Sequence, residues 1–259
     1  MTTAGVLRRL FPDPATLTLD ELYAGLTLPE GAPGQDAWVA CSMVTSIDGA
    51  VSVDGRSGGL GGPADLRALS QLRAANDVSV VGAGTIRDER YRPLAGNERR
   101  RADRTSRGLT PSPRLAIVTS SGRIEPDHPV FADPAERPIV LASQGADPGA
   151  LAALRPVADV HTLAQRPIPA TSIVALLVGL GYRRLLCEGG PTLNQAMLAA
   201  DLIDEMFLTL APTTVGGSAS RIVAGGDEFR RDMDLRSVIE QDGDLLLRYR
   251  HPRHRTRTD

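Results

Sequence analysis

The sequence predicts an α/β fold whose sheet is mixed, mostly parallel and flanked by helices. Short apolar runs of strand length alternate with segments of helical spacing along most of the 259 residues. Such alternation is typical of parallel sheets that are covered on both faces. The last two predicted strands have no helix between them, so we expect an antiparallel element at the C-terminal edge of the sheet.

The first elements follow from apolar runs that lie between turn signals. The run Trp38–Val44 predicts a buried strand, and the turn-forming residues 46–49 end it. A glycine-rich loop spans residues 55–62. Pro63 is expected to open a helix that reaches Ala75. Residues 77–84 then predict a second buried strand that ends in glycines.

The remaining chain continues this alternation. Strands are predicted at residues 115–119, 138–142, 157–161, 184–188, 205–210 and 244–250. Helices are predicted at residues 148–154, 170–180 and 191–200, the second of them capped by Thr171 or Ser172. Residues 87–113 are polar and rich in arginine, which predicts a long surface loop.

Composition changes at both ends divide the chain into three segments. Prolines and glycines punctuate residues 1–35, which we expect to form an extension packed on the core. Thr18 and Glu21 have the spacing of a capping box and predict a short helix to Ala24. Residues 36–250 form the predicted single domain, and the basic segment 251–259 predicts a flexible tail.

Composition also excludes several classes of function. The net charge of −2 argues against a dedicated nucleic-acid-binding protein. All 29 basic residues are arginines, so the chain offers no lysine for a Schiff base or a Walker-type phosphate site. Cys41 and Cys187 are isolated, and no Cys-x-x-Cys or His-x-Glu motif is present. The sequence therefore predicts no metal site, no deaminase unit and, without an apolar run of membrane length, a cytoplasmic protein.

Two junctions between a strand, glycines and a helix are the candidate ligand sites. Residues 81–87 resemble half of a dinucleotide-binding fingerprint, but Arg87 occupies the third glycine position. At residues 187–193, Glu188 ends a strand and Gly189–Gly190 leads into a helix. Free N–H groups at a helix N-terminus favour a pyrophosphate, and two such junctions predict a ligand face at one end of the sheet.

Each of these residues also has a purely structural interpretation when taken alone. Glycines after strands form tight turns, and Asp48 precedes Gly49 as turn residues often do. Arg73 can be a solvated arginine, and Cys187 a small buried strand residue.

Taken in order, however, five segments resemble the riboflavin-biosynthesis pyrimidine reductases. They are Thr45–Gly49 (TSIDG), Gly55–Gly59 (GRSGG), Leu72–Ala74 (LRA), Gly82–Arg87 (GAGTIR) and Glu188–Leu193 (EGGPTL). The resemblance covers residues 36–250 and implies a dihydrofolate-reductase-like fold and a stand-alone reductase domain. The activity it implies is the NADPH-dependent reduction of a ribosylamino-pyrimidine of the 5-amino-6-(5-phosphoribosylamino)uracil type to its ribitylamino product. It also implies a homodimer that binds this small phosphoribosyl-pyrimidine, without a nucleic-acid or membrane partner.

The resemblance further implies a set of site residues. Those expected to bind NADPH are Val44, Thr45, Gly59, Gly82, Thr85, Glu89, Ser121, Arg123, Gly189, Gly190, Pro191, Thr192 and Leu193. Ser121 and Arg123 are expected beside the adenosine 2′-phosphate, and residues 189–193 beside the pyrophosphate. Ser57, Arg73 and Glu188 are expected to bind substrate. Asp48 and Glu188 are the candidate proton donors.

The sequence leaves the substrate and the phosphate site open. Arg90, Arg92 and Arg99 compete to complete a phosphate site, and the loop at residues 58–62 lacks the larger side chains of many family members. An NADPH-dependent reductase of a dihydropterin or dihydrofolate on the same fold is one alternative. A non-catalytic nucleotide-binding protein is another, and a plain Rossmann oxidoreductase is a more distant one.

Overall fold

One mixed sheet of eleven strands organises the computed structural model, which describes residues 6–89 and 91–255. The strands are β1 (Leu7–Phe11), β2 (Ala15–Leu17), β3 (Trp38–Ser46), β4 (Val78–Gly82), β5 (Arg114–Thr119), β6 (Ile139–Ser143), β7 (Asp159–Leu163), β8 (Arg184–Cys187), β9 (Glu205–Ala211), β10 (Asp234–Gln241) and β11 (Asp244–Arg250). The α-helices are α1 (Pro63–Ala75), α2 (Ala83–Asp88), α3 (Glu98–Ser106), α4 (Pro148–Leu154), α5 (Ala170–Gly179) and α6 (Pro191–Ala199). The strand order is β2-β1-β10-β11-β9-β3-β8-β4-β5-β6-β7.

The predicted fold class is confirmed. All neighbouring pairs from β9 to β7 in this order are parallel, whereas β11 pairs antiparallel with both β9 and β10. Strands β1, β2 and β10 were not predicted. They are only partly buried and lack the continuous apolar run that identifies a central parallel strand. The outermost antiparallel strands therefore come from the N-terminal segment, which pairs with β10 through β1.

Helices cover both faces of the sheet, and β3 shows why. Val39 and Cys41 belong to the core cluster that includes Ile173 of α5 and Met197 of α6. Trp38 and Ala40, which alternate with them, belong to the cluster that includes Leu72 and Ala75 of α1. Since successive strand residues point to opposite faces, an all-apolar strand requires a helix layer on each side.

The short helix predicted over Thr18–Ala24 is wrong, because the chain makes successive turns there. Glu21 and Thr18 do form the contacts of a capping box, with the Thr18 amide donating to Glu21 Oε2 at 2.8 Å and the Glu21 amide donating to Thr18 Oγ1 at 3.3 Å. Tyr23 has a φ of +52°, a left-handed conformation that interrupts a helix after its first turn.

The predicted surface loop over residues 87–113 is also wrong in part, because residues 98–106 form α3. Its N-cap is Asn97, whose side chain accepts a hydrogen bond from the Arg100 amide. The helix carries no apolar stripe that the sequence could reveal. It is anchored instead by Arg104, which is completely buried and donates to the carbonyl groups of Arg73, Ala74 and Asn76 at the end of α1.

Two smaller predictions are also corrected, one at the start of α5 and one in the C-terminal segment. Pro169 is the N-cap of α5 and makes no side-chain capping bond, so neither Thr171 nor Ser172 caps that helix. Residues 251–255 of the expected flexible tail pack on the sheet, where His254 lies 2.9 Å from Asp204 and stacks on Trp38. Among residues 6–89 and 91–255, no helix is both long enough and apolar enough to cross a bilayer.

Candidate active site

A cavity of about 690 Å³ opens where the parallel strands β3, β4 and β8 end. Ligands of open α/β sheets bind outside the carboxyl ends of the strands, where loops from several strands converge. Nine residues named as candidates from the sequence line this cavity. They are Val44, Ser57, Arg73, Thr85, Glu89, Arg92, Glu188, Gly190 and Pro191.

The two glycine junctions, which were predicted to share one ligand face, contact each other at the edge of this cavity. The Gly82 amide donates to the Gly189 carbonyl at 2.7 Å. A Cβ atom on Gly190 would lie only 2.8 Å from Thr85 Oγ1, so the first junction packs directly against the second. Gly189 has a φ of +81°, which non-glycine residues adopt at a cost. The two junctions therefore form one structural unit in which Gly190 has no room for a side chain.

The second junction presents a free helix N-terminus. Gly190 is the N-cap of α6 and supplies no capping side chain, and Pro191 at the first helical position has no N–H group. The first amide with an intrahelical acceptor is that of Asn194, which donates to the Gly190 carbonyl at 3.0 Å. Helix geometry thus leaves the N–H groups of Thr192 and Leu193 to an external acceptor. This arrangement suits a phosphate or pyrophosphate group.

The side chain of Asn194 anchors this second junction through hydrogen bonds. Its Oδ1 atom accepts from the thiols of Cys187 at 3.4 Å and Cys41 at 3.7 Å, and its Nδ2 donates to the Ile222 carbonyl at 2.7 Å. Both cysteines are fully buried, and the Cys187 contact together with burial raises the pKa of Cys41. Cys187 is therefore a buried strand residue, as its structural interpretation predicted, and not an accessible nucleophile.

Arg73 and Glu188, predicted as separate substrate contacts, bind each other. Arg73 Nε donates to Glu188 Oε1 at 2.9 Å, and Arg73 Nη2 donates to Glu188 Oε2 at 2.5 Å. The Tyr91 hydroxyl also donates to Glu188 Oε2 and accepts from Arg73 Nη2 at 3.0 Å. A strand end, a helix and a loop that are distant in sequence thus converge on one carboxylate.

These partners keep Glu188 ionised. Its side chain is only 3% exposed, and burial by itself would raise the pKa of this carboxyl group. The charge of Arg73 and the hydrogen bonds from Arg73, Tyr91 and Ser79 outweigh burial, and the pKa of Glu188 is lowered. Burial would conversely lower the pKa of Arg73, but the Glu188 charge raises it. At neutral pH the pair is ionic, so Glu188 accepts hydrogen bonds and has no proton to donate.

Further cations line the cavity wall. Arg92 and Arg100 both lie in its lining, and Arg100 Nη2 donates to Ser70 Oγ on α1. Burial together with the positive charges of Arg67 and Arg73 lowers the pKa of Arg100. Positive charges that lie close together in one wall favour the binding of an anion there. Arg99, one of the predicted competitors, does not line the cavity, and Arg90 lies outside the described residues.

The glycine-rich loop lines the cavity with Gly55, Ser57, Gly58 and Gly61. The Ser57 amide donates to Glu89 Oε1 at 2.6 Å, and both residues lie in the cavity wall. Gly59 faces away from it and lines a neighbouring cavity of about 430 Å³ together with Asp242 and Asp244. The loop is thus positioned by a contact with the segment that follows α2.

Asp48 lies outside the cavity lining and links two loops. Its carboxylate accepts from Ser46 Oγ at 2.5 Å, from the Val215 amide at 3.1 Å and from the Gly216 amide at 2.7 Å. The Ser46 bond and the two amide bonds lower the pKa of Asp48 to about 2. Asp48 is therefore ionised and engaged, which is the turn role that its structural interpretation predicted. Its predicted role as a proton donor has no support in this geometry.

The remaining predicted residues lie around the cavity. Thr45 is buried, with its hydroxyl donating to the Ala50 carbonyl at 3.1 Å, and Leu193 belongs to the core cluster. Ser121 and Arg123 follow β5 outside the cavity, and the Arg123 carbonyl accepts from Arg87 Nη1 at 3.2 Å. The cavity-lining residues that sequence reasoning missed include Tyr91 and Arg100. No motif marks either of them, because α3 and its preceding loop lack periodicity and only packing brings them to the cavity.

A mixed sheet with its cavity at the parallel strand ends, and a glycine junction beside a helix N-terminus, defines an α/β protein with a candidate site for a phosphorylated ligand. A family model described as the RibD C-terminal domain matches residues 37–247, and the chain belongs to this family of riboflavin-biosynthesis pyrimidine reductases.

Several proteins that are similar to this chain are named as pyrimidine or pyrimidinone reductases. The chain is 31% identical over 218 residues to the 2,5-diamino-6-ribosylamino-4(3H)-pyrimidinone 5′-phosphate reductase of Methanothermobacter thermautotrophicus, covering 82% of this chain and 97% of the relative. The protein of the same name from Archaeoglobus fulgidus is 27% identical over 78% of this chain and 92% of its own. A pyrimidine reductase-like protein from Corynebacterium diphtheriae shares the fold with a TM-score of 0.78 at 24% identity, covering 90% of this chain and 98% of the other.

Proposed function

We propose that this protein uses NADPH to reduce a ribosylamino-pyrimidine 5′-phosphate to its ribitylamino product in riboflavin biosynthesis. The observation that carries the proposal is one cavity that joins the Arg73–Glu188 pair, the α6 N-terminus and the Arg92–Arg100 wall. A substrate with a polyhydroxylated chain and a phosphate requires an ionised carboxylate and free cations at a suitable spacing. The names of the two archaeal relatives support the same substrate class.

The residues present fit the dinucleotide that the family implies. Thr192 and Leu193 offer backbone N–H groups to a pyrophosphate, and the absence of a side chain on Gly190 lets the backbone approach it. Ser121, Arg123 and Arg87 lie together at the end of β5, where a hydroxyl and two guanidinium groups would receive a 2′-phosphate. When bound, NADPH supplies the hydride.

The substrate phosphate is assigned to the Arg100 wall. Arg100 and Arg92 face the cavity, and the Ser70 hydroxyl that holds Arg100 can donate to the same anion. Arg73 is committed to Glu188, so it positions that carboxylate in addition to any contact with the phosphate.

Glu188 is assigned to the hydroxyl groups of the ribose-derived chain. It is ionised, fixed by Arg73 and Tyr91, and situated where β8 ends beside Gly190. Asp48 and Glu188 are both ionised at neutral pH. Neither of these two carboxylates therefore supplies the proton that accompanies hydride addition.

The same proposal includes a cytoplasmic homodimer. Leu10 and Phe11 at β1 and Leu235 on β10 expose 49%, 41% and 38% of their surface, and β1 pairs with β10. Exposed apolar side chains on strands near one edge of a sheet favour contact with a second copy. Light scattering of the purified protein should give twice the 27.5 kDa chain mass, and a monomer at high concentration would overturn this part.

The deciding experiment is a steady-state assay of NADPH oxidation with three substrates. These are 2,5-diamino-6-ribosylamino-4(3H)-pyrimidinone 5′-phosphate, 5-amino-6-(5-phosphoribosylamino)uracil and dihydrofolate. We expect turnover with a ribosylamino-pyrimidine phosphate and none with dihydrofolate. Turnover of dihydrofolate alone would favour a folate reductase, and NADPH binding without any turnover would favour a non-catalytic nucleotide-binding protein. Failure to bind either NADPH or NADH would overturn the proposal.

A further inference from the structure

Tyr91 is one of the residues of this cavity that no sequence motif marked, and its hydroxyl group contacts both Arg73 and Glu188. It donates to Glu188 Oε2 and accepts from Arg73 Nη2 at 3.0 Å. The Arg73 guanidinium carbon also lies 5.4 Å from the centroid of the Tyr91 ring. The phenol thus contacts both members of the ion pair, through its hydroxyl group and through its ring.

The segment that carries Tyr91 is anchored independently of this contact. Tyr91 and Leu94 pack against the core cluster that contains Ile86 of α2 and Ile117 of β5. Glu89, two residues earlier, accepts from the Ser57 amide at 2.6 Å. The position of the phenol is therefore set by the core and by the loop before α1, so Tyr91 can orient the carboxylate instead of merely following it.

The hydrogen-bonding of Glu188 shows what the phenol adds. Oε1 accepts from Arg73 Nε, whereas Oε2 accepts from both Arg73 Nη2 and the Tyr91 hydroxyl. Without the phenol, Oε2 would keep only its bond from Arg73 Nη2, and the rotation of the carboxylate about its last side-chain bond would be less restricted. Two donors on Oε2 that approach from different elements restrict that rotation further.

We propose that Tyr91 is a positioning residue for the reaction, whose hydroxyl holds the Glu188 carboxylate against Arg73 so that Glu188 receives the hydroxyl groups of the substrate in one orientation. This inference rests on the proposed function for its substrate but on the contacts of this chain for its geometry. Tyr91 acts through Glu188 and is not assigned to a reacting atom.

The charged and titratable surroundings of Glu188 determine how the role can be tested. Arg73 faces it from α1, Tyr91 from the loop before α3, and Ser79 from β4. The other ionisable groups in the cavity wall are Asp65, Asp88, Glu89, Arg92 and Arg100. Burial opposes ionisation of Glu188, so removing a hydrogen-bond donor from it should raise the pKa of this carboxyl group.

The test compares Tyr91→Phe with Tyr182→Phe, which removes a tyrosine hydroxyl far along the sequence and outside the cavity lining. For Y91F we expect kcat/KM for the pyrimidine phosphate to fall about tenfold, with the acidic limb of its pH profile moved to higher pH and the Kd for NADPH unchanged. Y182F should match the wild type in kcat/KM, in the pH profile and in the Kd for NADPH. A Y91F enzyme with the wild-type kcat/KM and pH profile would overturn the proposal.

A second readout does not depend on turnover. In protein labelled with ¹³C at glutamate carboxyl groups, the Glu188 resonance is identified by its loss in E188Q, and its titration is followed in the wild type and in Y91F. We expect the Glu188 pKa to be higher in Y91F, and an unchanged pKa would overturn the positioning role whatever the activity. A raised pKa in a protein that reduces no pyrimidine would instead reject the proposed function and retain the role of Tyr91.

Should Y91F fold poorly, 3-fluorotyrosine at position 91 keeps the ring and both partners while making the phenol more acidic. A more acidic phenol is a stronger donor, so the acidic limb should move to lower pH. An unchanged limb would overturn the proposal by this route as well.

Discussion

Arg73 and Glu188 form a two-bond ion pair, with Nε on Oε1 at 2.9 Å and Nη2 on Oε2 at 2.5 Å, although 115 residues separate them. Sequence reasoning assigned both of them to the substrate independently. The pairing changes what a substitution at either position removes, because each side chain neutralises the other in a poorly hydrated site.

Arg73→Met should therefore affect more than phosphate binding. It leaves Glu188, which is 3% exposed, without its counter-ion, and we expect the free energy of unfolding at pH 7 to fall by about 3 kcal/mol. The double variant R73M/E188Q should lose less than the sum of the single losses, by about 1 kcal/mol or more. The matched control is Arg67→Met on the same helix, whose partner Asp20 is 84% exposed, and its cost should stay below about 1 kcal/mol. Additive losses in urea denaturation would contradict the pairing.

Asp48 should affect how the free energy of unfolding depends on pH in the acidic range, and it should not act as a proton donor. Its folded-state pKa of about 2 lies below the ordinary value of 3.8, so its contribution is present above pH 3.8 and is lost as the pH falls through 2. Asp48→Asn should therefore make the free energy of unfolding less dependent on pH over this window. The measurement is chemical denaturation at several pH values, with Asp54→Asn as the control. Equal pH dependence in wild type and D48N would refute the loop contacts of Asp48.

Arg104 should be one of the most sensitive positions of the polar helix α3. It is fully buried and donates to three carbonyl groups at the end of α1, and of these the Ala74 carbonyl also accepts from Arg107 Nη2 at 2.9 Å. Arg104→Met should lower the free energy of unfolding by about 3 kcal/mol. Arg99→Met, in the same helix but exposed, should change it by less than about 0.5 kcal/mol. Both variants are measured by thermal and urea unfolding. Similar losses of stability in the two would contradict this prediction.

Gly190→Ala should weaken NADPH binding through crowding. The new Cβ atom would lie 2.8 Å from Thr85 Oγ1, so either Thr85 or the α6 N-terminus has to move. We expect the Kd for NADPH to rise about tenfold, an effect of about 1.4 kcal/mol. The double variant G190A/T85A should recover part of the loss because it removes the clashing oxygen. Gly179→Ala, which meets no atom within 4 Å, is the control. Fluorescence titration with a wild-type Kd for G190A would exclude this account of the cradle.

Arg123→Met should reduce the preference for NADPH over NADH. If Arg123 receives the 2′-phosphate, the Kd for NADPH should rise about tenfold while the Kd for NADH stays constant. Arg155→Met, an exposed arginine at the end of α4, is the matched control. Equal weakening of both dinucleotides by R123M would place the 2′-phosphate elsewhere.

The sequence predicted the central strands well because each is a continuous apolar run. Val78–Gly82 and Ile139–Ser143 are buried on both faces, so apolar residues occupy consecutive positions and not only alternate ones. Strand β10 and helix α3 escaped prediction for the opposite reason. Both are partly or wholly polar, and their stability comes from pairing with β11 and from the buried Arg104, respectively.

What the sequence determined by itself was the fold class, the family and the two glycine junctions, because these depend on local residue types and their order. Tertiary structure alone decided that Arg73 and Glu188 pair, that Tyr91 joins them, and that Arg100 supplies a cavity cation. It also decided that Asp48 fastens two loops. The physical reason is that an electrostatic partner is chosen by distance in space, which strand pairing and helix packing set and which no spacing along the chain encodes.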